Sequence, residues 1–472
     1  MASTFEAGGR PGSEAPEKEK SVVDRFLSLA GDVHAGEGLT ALLLSLNGFL
    51  LLSTYYTIRS LRSALLLPVQ IALPGGVVMA GPEIQSYIGS ILAIAFLFIV
   101  PLYSSIASRT NRIRLINSVT MFFVVTLIGF FFATRSGVFP ATVAVAFFVW
   151  IGVFSLMIIA QFWSFANDLY TPEQGKRLFA IVGFGGSVGA IIGALIASSL
   201  IGVWGLPVMM LLGAAQLVAA LALNNIIHKR DQRRPKAVST SAPAATEKTL
   251  GTSGGFKLVL GQRYLLLIGL LTLTINIVNT NGNYILNETL AQMARAVMAA
   301  GADGRTEREI IGGFMAGTDF WQNVLSMGIQ FFLVSRIFKY LGIGGALFVM
   351  PLVSFTSYGL FAFAPVLSLI RIAKITENAT DYSLQNTVRR ALFLPTSREA
   401  KYKALQAVET FFWRAGDLLS SVVVLIVVRW LALSARGFAF VNLALVAIWL
   451  FLAWSLSREN RRLTAKSEPA AA

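Results

Sequence analysis

An all-α integral membrane protein, with about twelve transmembrane helices in two six-helix halves, is the fold class this sequence predicts. Three observations lead there. The chain is 55% hydrophobic and only 13% charged, with a mean hydropathy of +0.67, whereas soluble domains carry about 25% charged residues. Apolar runs of about 20 residues, enough to cross a bilayer as helix, recur along the chain. A basic stretch near the middle divides those runs into two sets.

Residues 1–36 read as a polar cytoplasmic tail of mixed charge (GGRPGSEAPEKEK). The tail lacks the short apolar core and small-residue cleavage site of a signal peptide, and SVVDRFLSLA within it has the pattern of an interfacial helix. Window hydrophobicity then predicts spans near 39–66, 85–107, 114–134, 141–168, 177–203 and 206–227, a first six-helix bundle over 37–228. The segment HKRDQRRPKAVSTSAPAATEKTLGTSGG is basic and rich in small residues, so 229–262 reads as a flexible cytoplasmic linker. Spans near 264–288, 310–336, 341–362, 365–390, 401–432 and 437–457 make the second bundle, 263–457, before a cytoplasmic tail over 458–472.

Orientation follows from Lys and Arg, which gather on the cytoplasmic side of membrane proteins. Most of the 39 fall inside if both termini are cytoplasmic, while the outside loop LLPVQIALPGGVVMAGPEIQ carries none. The bacterial inner membrane is the expected location. The net charge of +15 is accounted for by the membrane, so nucleic acid is not an expected partner. The chain has no Cys, and its two histidines, His34 and His228, lie in polar segments. Thiolate chemistry and a His-based centre inside the membrane are therefore excluded. No catalytic residue, metal or cofactor is expected, and a monomer is the expected state.

The halves echo one another. TPEQGKR (171–177) has a counterpart in PTSREAKYK (395–403), with Thr171 and Thr396 separated by 225 residues, as are Lys176 and Lys401. Parallel halves related by an axis along the membrane normal mark the major facilitator architecture.

Charge inside a span is costly and faces a cavity or a partner. In RIAKITENATDYSLQNTVRR, Arg371, Lys374, Asn378, Asp381 and Gln385 share one helical stripe, with Glu377 beside it. Span eight has a stripe of Asp319, Gln322, Asn323, Ser326 and Gln330. Span seven has Asn276, Asn279, Asn283 and Asn287, and span one has Tyr55, Arg59 and Arg62. Span four adds Gln161, Ser164 and Asn167. Spans one, four, seven and ten line the central cavity of the major facilitator fold, so these stripes are candidates for cavity lining. Arg59 and Arg62 have no acid within one turn and suit bidentate contact with phosphate or carboxylate. Arg59, Arg62, Asn279, Arg371, Lys374, Asn378 and Asp381 are thus the candidate substrate contacts. Asp319, Glu377, Glu409, Arg414 and Asp417 are candidates for coupling or gating. The competing reading is that these charges pair internally and only hold helices together.

In GFGGSVGAIIGALIA (183–197), Gly185, Gly189, Gly193 and Ala197 lie four apart. That is a small-residue face for close helix approach, on which helices could also slide. It is not a phosphate loop, because the third glycine of G-x-G-x-x-G falls on Val188. No P-loop is present. Asn287 and Asn378 head chance-level glycosylation sequons, and Trp413 reads as packing.

Five segments, taken together, resemble the ATP/ADP translocase family: YYTIRSLRSALLL (55–67), FWSFANDLYTPEQGKRLFAIVGFGGSVGAIIG (162–193), FKLVLGQRYLLLIGLL (256–271), INIVNTNGNYIL (275–286) and TDYSLQNTVRRALFLPTSREAKYKALQAVET (380–410). The resemblance runs from about residue 40 to 455. It implies a twelve-helix major-facilitator-like bundle and exchange of ATP for ADP plus phosphate. Arg59 and Arg62 match the family's basic pair in span one. Ser63 stands where the family has Asp, Asn279 where it has an acid, Asp417 where it has a lysine, and Ile151 lies near a further acid.

The leading expectation is a secondary transporter of nucleotides, or of a related anionic phosphorylated solute, working by alternating access. The alternatives are a major-facilitator transporter of another metabolite or lipid precursor, and a non-transporting membrane scaffold.

Overall fold

The structure, a computed structural model, describes residues 20–28, 32–74, 76–232, 252–301, 304–364, 366–397 and 400–467. Most of the expected linker and the outer parts of both tails lie outside the described residues.

The first helix, α1 (Val22–Leu27), starts from a reciprocal capping box between Ser21 and Asp24. It is followed by α2 (Gly38–Leu66), then a hairpin of β1 (Gln70–Ala72) and β2 (Val78–Ala80) with Ile71 opposite Met79. Next come α3 (Gly81–Arg109), α4 (Arg112–Ser136) and α5 (Pro140–Leu169). Proline opens α3 and α5 at a position where the missing N–H costs nothing. Asn111 caps α4, and Gly137 at φ 68° ends it.

The 61 residues of α6 (Pro172–Gln232) would be about 90 Å long if straight, roughly three bilayer cores. The helix is broken at Gly205, whose φ of 73° only glycine adopts at low cost, with Pro207 just beyond. The second set begins with the short α7 (Thr252–Gly261) and α8 (Arg263–Ala299). A capping box of Thr306 and Glu309 starts α9 (Glu307–Gly328), which runs through a π-turn (Ile329–Leu333) into α10 (Val334–Phe363). Gly342, φ 63°, breaks that run as Gly205 breaks α6. After α11 (Leu367–Thr380) comes a π-turn over Asp381–Gln385 and then α12 (Asn386–Ala391). Residues 400–430 alternate π- and α-turns through α13 (Leu405–Ala407) and α14 (Trp413–Leu425), and α15 (Ala435–Ser467) ends the described chain.

Eight helical stretches among the described residues are long and apolar enough to cross a membrane, two of them 56 and 57 residues long. Each long one is divided by a single glycine. With α3 and the Leu367–Ala391 segment, this is consistent with twelve crossings. Large apolar side chains such as Phe98, Phe132 and Phe451 are exposed, as lipid contact permits.

One apolar core draws on residues from Leu27 to Ile227 and a second on residues from Val259 to Leu456. A third, small cluster unites Leu67 with Leu290, Ala291, Ala294, Ile310 and Ile311. The closest helix pair is α2 with the first part of α6. A Cβ at Gly185, Gly189 or Gly193 would overlap the carbonyl oxygens of Ser45, Phe49 and Ser53 respectively. The absent side chains let two backbones touch over three turns. At the start of this pair, Arg177 grips Glu37 with two hydrogen bonds of 3.0 Å, and Gln174 adds a third of 2.9 Å.

Candidate functional site

A cavity of about 710 Å³ lies between the two sets of helices, within the usual range for small-molecule sites of about 300–1,000 Å³. The first set contributes Tyr56 from α2, Trp163 from α5, and Gly183, Gly186 and Ser187 from α6. The second contributes Asn323 and Gln330, and then Tyr382, Asn386 and Arg390 from the α11–α12 segment. Phe331, Tyr382 and Arg390 are exposed at its rim. The glycine run therefore has two faces. Gly185, Gly189 and Gly193 touch α2, while Gly183 and Gly186 face the cavity.

One turn deeper than Tyr56, Arg59 spans the two sets, its Nη1 3.4 Å from Asp319 Oδ1 of α9. Its guanidinium also lies 5.4 Å from the centre of the Tyr56 ring. Another turn on, Arg62 rests 4.7 Å from the centre of the Phe148 ring and lines a separate cavity of about 240 Å³. Gln85, Asn283, Asn287, Arg414 and Asp417 share that chamber.

Beyond the chamber the two sets meet. Arg429 grips Glu83 through two hydrogen bonds of 2.6 Å and the Val78 carbonyl at 3.0 Å. Ser421 bonds the Ser86 carbonyl at 2.8 Å and contacts the Ser90 hydroxyl. The Leu67 cluster lies at the same end. The pairing of Glu83 with Arg429, 346 residues apart, leaves no signal in the sequence.

The span-ten stripe does not line the cavity as expected. Lys374 and Glu377 are fully buried and paired at 2.9 Å. Lys374 also donates to Asn279 Oδ1 at 2.7 Å, while Glu377 accepts from Ser354 at 2.9 Å and Tyr358 at 3.0 Å. The pair is satisfied inside its own helix set, so Lys374 and Asn279 are corrected from substrate contacts to internal ones. Arg371 donates to Thr318 at 3.1 Å and covers the Phe314 ring, and Asn378 donates to Gln322 at 3.0 Å. Asp381 and Gln385 are buried, with Asp381 Oδ1 lacking a donor. The π-turn at Asp381–Gln385 shifts the helical phase, which brings Tyr382, Asn386 and Arg390 to the cavity instead. Glu409 is exposed. Asp417 accepts from Asn276 at 2.8 Å and pairs with Arg414 at 3.4 Å. Sequence reasoning missed Tyr56, Tyr382 and Arg390; the Arg389–Arg390 doublet at the end of span ten was the one signal available.

Helices crossing a bilayer, gathered in two sets around a cavity, define an integral membrane protein of the major facilitator-like class. A mutant form of the nucleoside transporter NupG shares the fold with a TM-score of 0.61 and 15% identity, over 88% of this chain and 98% of that one. A peptide transporter POT in complex with sulfate gives 0.59 and 11%, over 94% and 99%. No family model matches the chain. Among curated proteins, ADP,ATP carrier protein 1 of Chlamydia pneumoniae is 24% identical over 345 residues, covering 64% of each chain. Its counterpart in Chlamydia trachomatis is 24% identical over 343 residues, covering 64% of this chain and 62% of that one. The chain is a distant relative of these carriers, as its resemblance to the ATP/ADP translocase family implied, and it spans a little under two thirds of their length.

Proposed function

We propose that this protein is a secondary transporter that moves a nucleotide, or a closely related anionic phosphorylated solute, by alternating access. The observation that carries the proposal is the cavity between the two helix sets, exposed near Arg390 and closed beyond Arg62 by the Glu83–Arg429 grip. Arg59 and Asp319 join the sets at its deep end, where an entering anion competes with Asp319 for the guanidinium. The names of the curated relatives favour exchange of ATP and ADP. On this reading 37–228 and 263–457 rock as two bundles joined by 229–262. With both termini cytoplasmic, as the Lys and Arg distribution requires, the cavity faces the cytoplasm, and the protein works as a monomer in the bacterial inner membrane.

The test is uptake of labelled ATP and ADP by proteoliposomes, with and without nucleotide inside. Uptake is expected to rise with internal nucleotide and to fall at least tenfold in Arg59→Ala, roughly the loss of one charge-assisted hydrogen bond of about 1.5–3 kcal/mol. Folded, inserted protein that takes up neither nucleotide refutes the nucleotide reading.

One observation favours another metabolite or a lipid precursor. Asn279 and Asp417, where the translocase family carries charges of other sign or kind, are occupied by hydrogen bonds to Lys374 and Asn276. A thermal-shift screen separates the readings, since a ligand of the native state raises stability as ln(1 + [L]/Kd). Stabilisation by another solute class and by no nucleotide selects the second.

A further inference from the structure

We propose that the 240 Å³ chamber around Arg62 is a separate subsite for the terminal phosphoryl groups of the solute, screened from the wide cavity by the Arg59–Asp319 bridge. The inference rests on the reading that the solute is phosphorylated.

The first support is the state of Arg62. No ion pair reaches it among the described residues, and its Nε is buried without an acceptor. A guanidinium left in this way at membrane depth is costly, and an anion relieves the cost. Arg59, three residues earlier on the same helix, already has its carboxylate. Arg62 alone of the two is left without one.

The chamber is also built for an anion. Arg62 comes from one helix set and Arg414 from the other, with the amides of Asn283, Asn287 and Gln85 between them. Asp417 is the one carboxylate among these residues, and it is engaged by Asn276 and Arg414. Gln85 leaves its buried Oε1 without a donor, and turning that amide over offers N–H groups instead.

Size and reach decide what enters. At about 30 Å³ per water, 240 Å³ holds about eight waters' worth of ligand: a phosphate or pyrophosphate group, but no whole nucleotide. The wide cavity at 710 Å³ takes the remainder. Leu52 lines the wide cavity and Arg62 the chamber, ten residues or about 15 Å apart along α2. An extended nucleoside polyphosphate covers that distance; a bare nucleoside does not. Arg59 sits between the two compartments, and Asn323, one turn past Asp319, already lines the wide one. The phosphoryl chain displaces Asp319 from Arg59 as it passes.

The experiment uses the full chain purified in a neutral detergent without added lipid, so that no lipid headgroup supplies phosphate. Thermal unfolding is followed with sodium pyrophosphate, with inorganic phosphate, and with sodium chloride at matched ionic strength. Pyrophosphate is expected to raise the midpoint beyond chloride, and phosphate to do so at higher concentration. Arg62→Gln is expected to unfold no lower than the parent without anion, because it removes an uncompensated charge, yet to lose the pyrophosphate response. Asn287→Leu, which fills the chamber from the other helix set and leaves every charge in place, is expected to lose it too. Asp319→Asn is expected to bind pyrophosphate several-fold more tightly. A parent that responds no more to pyrophosphate than to chloride overturns the subsite, as does an undiminished response in Arg62→Gln or Asn287→Leu. An Arg62-dependent response in a protein whose proteoliposomes move no nucleotide keeps the subsite and discards the transport reading; nucleotide exchange without that response does the reverse.

Discussion

Replacing Gly189 by Ala tests the seam between α2 and α6. A Cβ there would overlap the Phe49 carbonyl oxygen and stand 2.7 Å from the Phe49 Cα and 2.8 Å from its carbonyl carbon. Ordinary contact begins near 3.4 Å, so the helices must part by at least the difference, 0.7 Å at the Cα. The obstacle is backbone and has no rotamer to turn aside. Overpacking costs about 1–3 kcal/mol, and an Ala in place of an interior helical Gly returns about 1 kcal/mol. A net loss of about 1–2 kcal/mol is expected. Gly186 on the same helix is the control. A Cβ there meets Leu52 Cγ at 3.7 Å, an ordinary contact, so Gly186→Ala keeps only the propensity gain and should be neutral or stabilised by up to about 1 kcal/mol. Both variants are unfolded in the same detergent with tryptophan fluorescence as the signal. Gly189→Ala should melt below the parent and Gly186→Ala at or above it. Equal melting of the two would refute the close approach of the backbones.

Three further expectations follow from other parts of the molecule. Lys374→Met leaves Glu377 as a buried uncompensated carboxylate, at a cost of about 3–5 kcal/mol, and the double variant Lys374→Met with Glu377→Gln should recover much of it; strictly additive losses in denaturant unfolding would show that the two do not act as a pair. Asp24 is held at about 2: burial opposes its ionised form, but hydrogen bonds from the Gly36 backbone, from Ser21 and from the Gly38 backbone outweigh it. Because the folded value lies below 3.8, its contribution is complete above that pH and is lost as pH falls towards 2; hydrogen exchange at Gly36 and Gly38, corrected for intrinsic rates, should lose protection in that window, and constant protection from pH 5 to 2 would contradict it. The sequence has no Cys, so Ser90→Cys with Ser421→Cys supplies the only thiols, at hydroxyls in contact across the two helix sets. Oxidation should stop nucleotide flux in proteoliposomes and reduction should restore it, while flux through fully cross-linked protein would show that this end need not open.

The reach of sequence reasoning is set by distance along the chain. The glycine face of α6 was legible because its contact repeats every four residues, so its period carries the information. The apolar spans were legible for the same reason. Arg59 and Arg62 look alike in sequence, yet one meets Asp319 and the other meets no acid among the described residues. The difference lies on α9, some 260 residues away in chain terms, in a neighbour that no local pattern reveals. Lys374 shows the opposite failure. Its stripe was real, but a helix stripe does not say which side of the helix the cavity is on. The partners that claim it, Asn279 and Glu377, come with Tyr358 and Ser354 from three different helices. The π-turn after it then shifts the phase on which any projection beyond Thr380 depends.

The seam of α2 and α6 has a mechanical consequence. Three carbonyl oxygens of one helix rest in three glycine notches of the other, and the notches repeat every four residues, or about 6 Å of rise. Such a contact behaves as a toothed rack: it seats at whole notches, and any offset between them drives a carbonyl against a Cα or a side chain. Axial sliding along the glycine face is therefore the motion this seam resists. A rearrangement of the bundle must carry both helices as one stiff strut, with Arg59 fixed to it, and find its compliance at breaks such as Gly205.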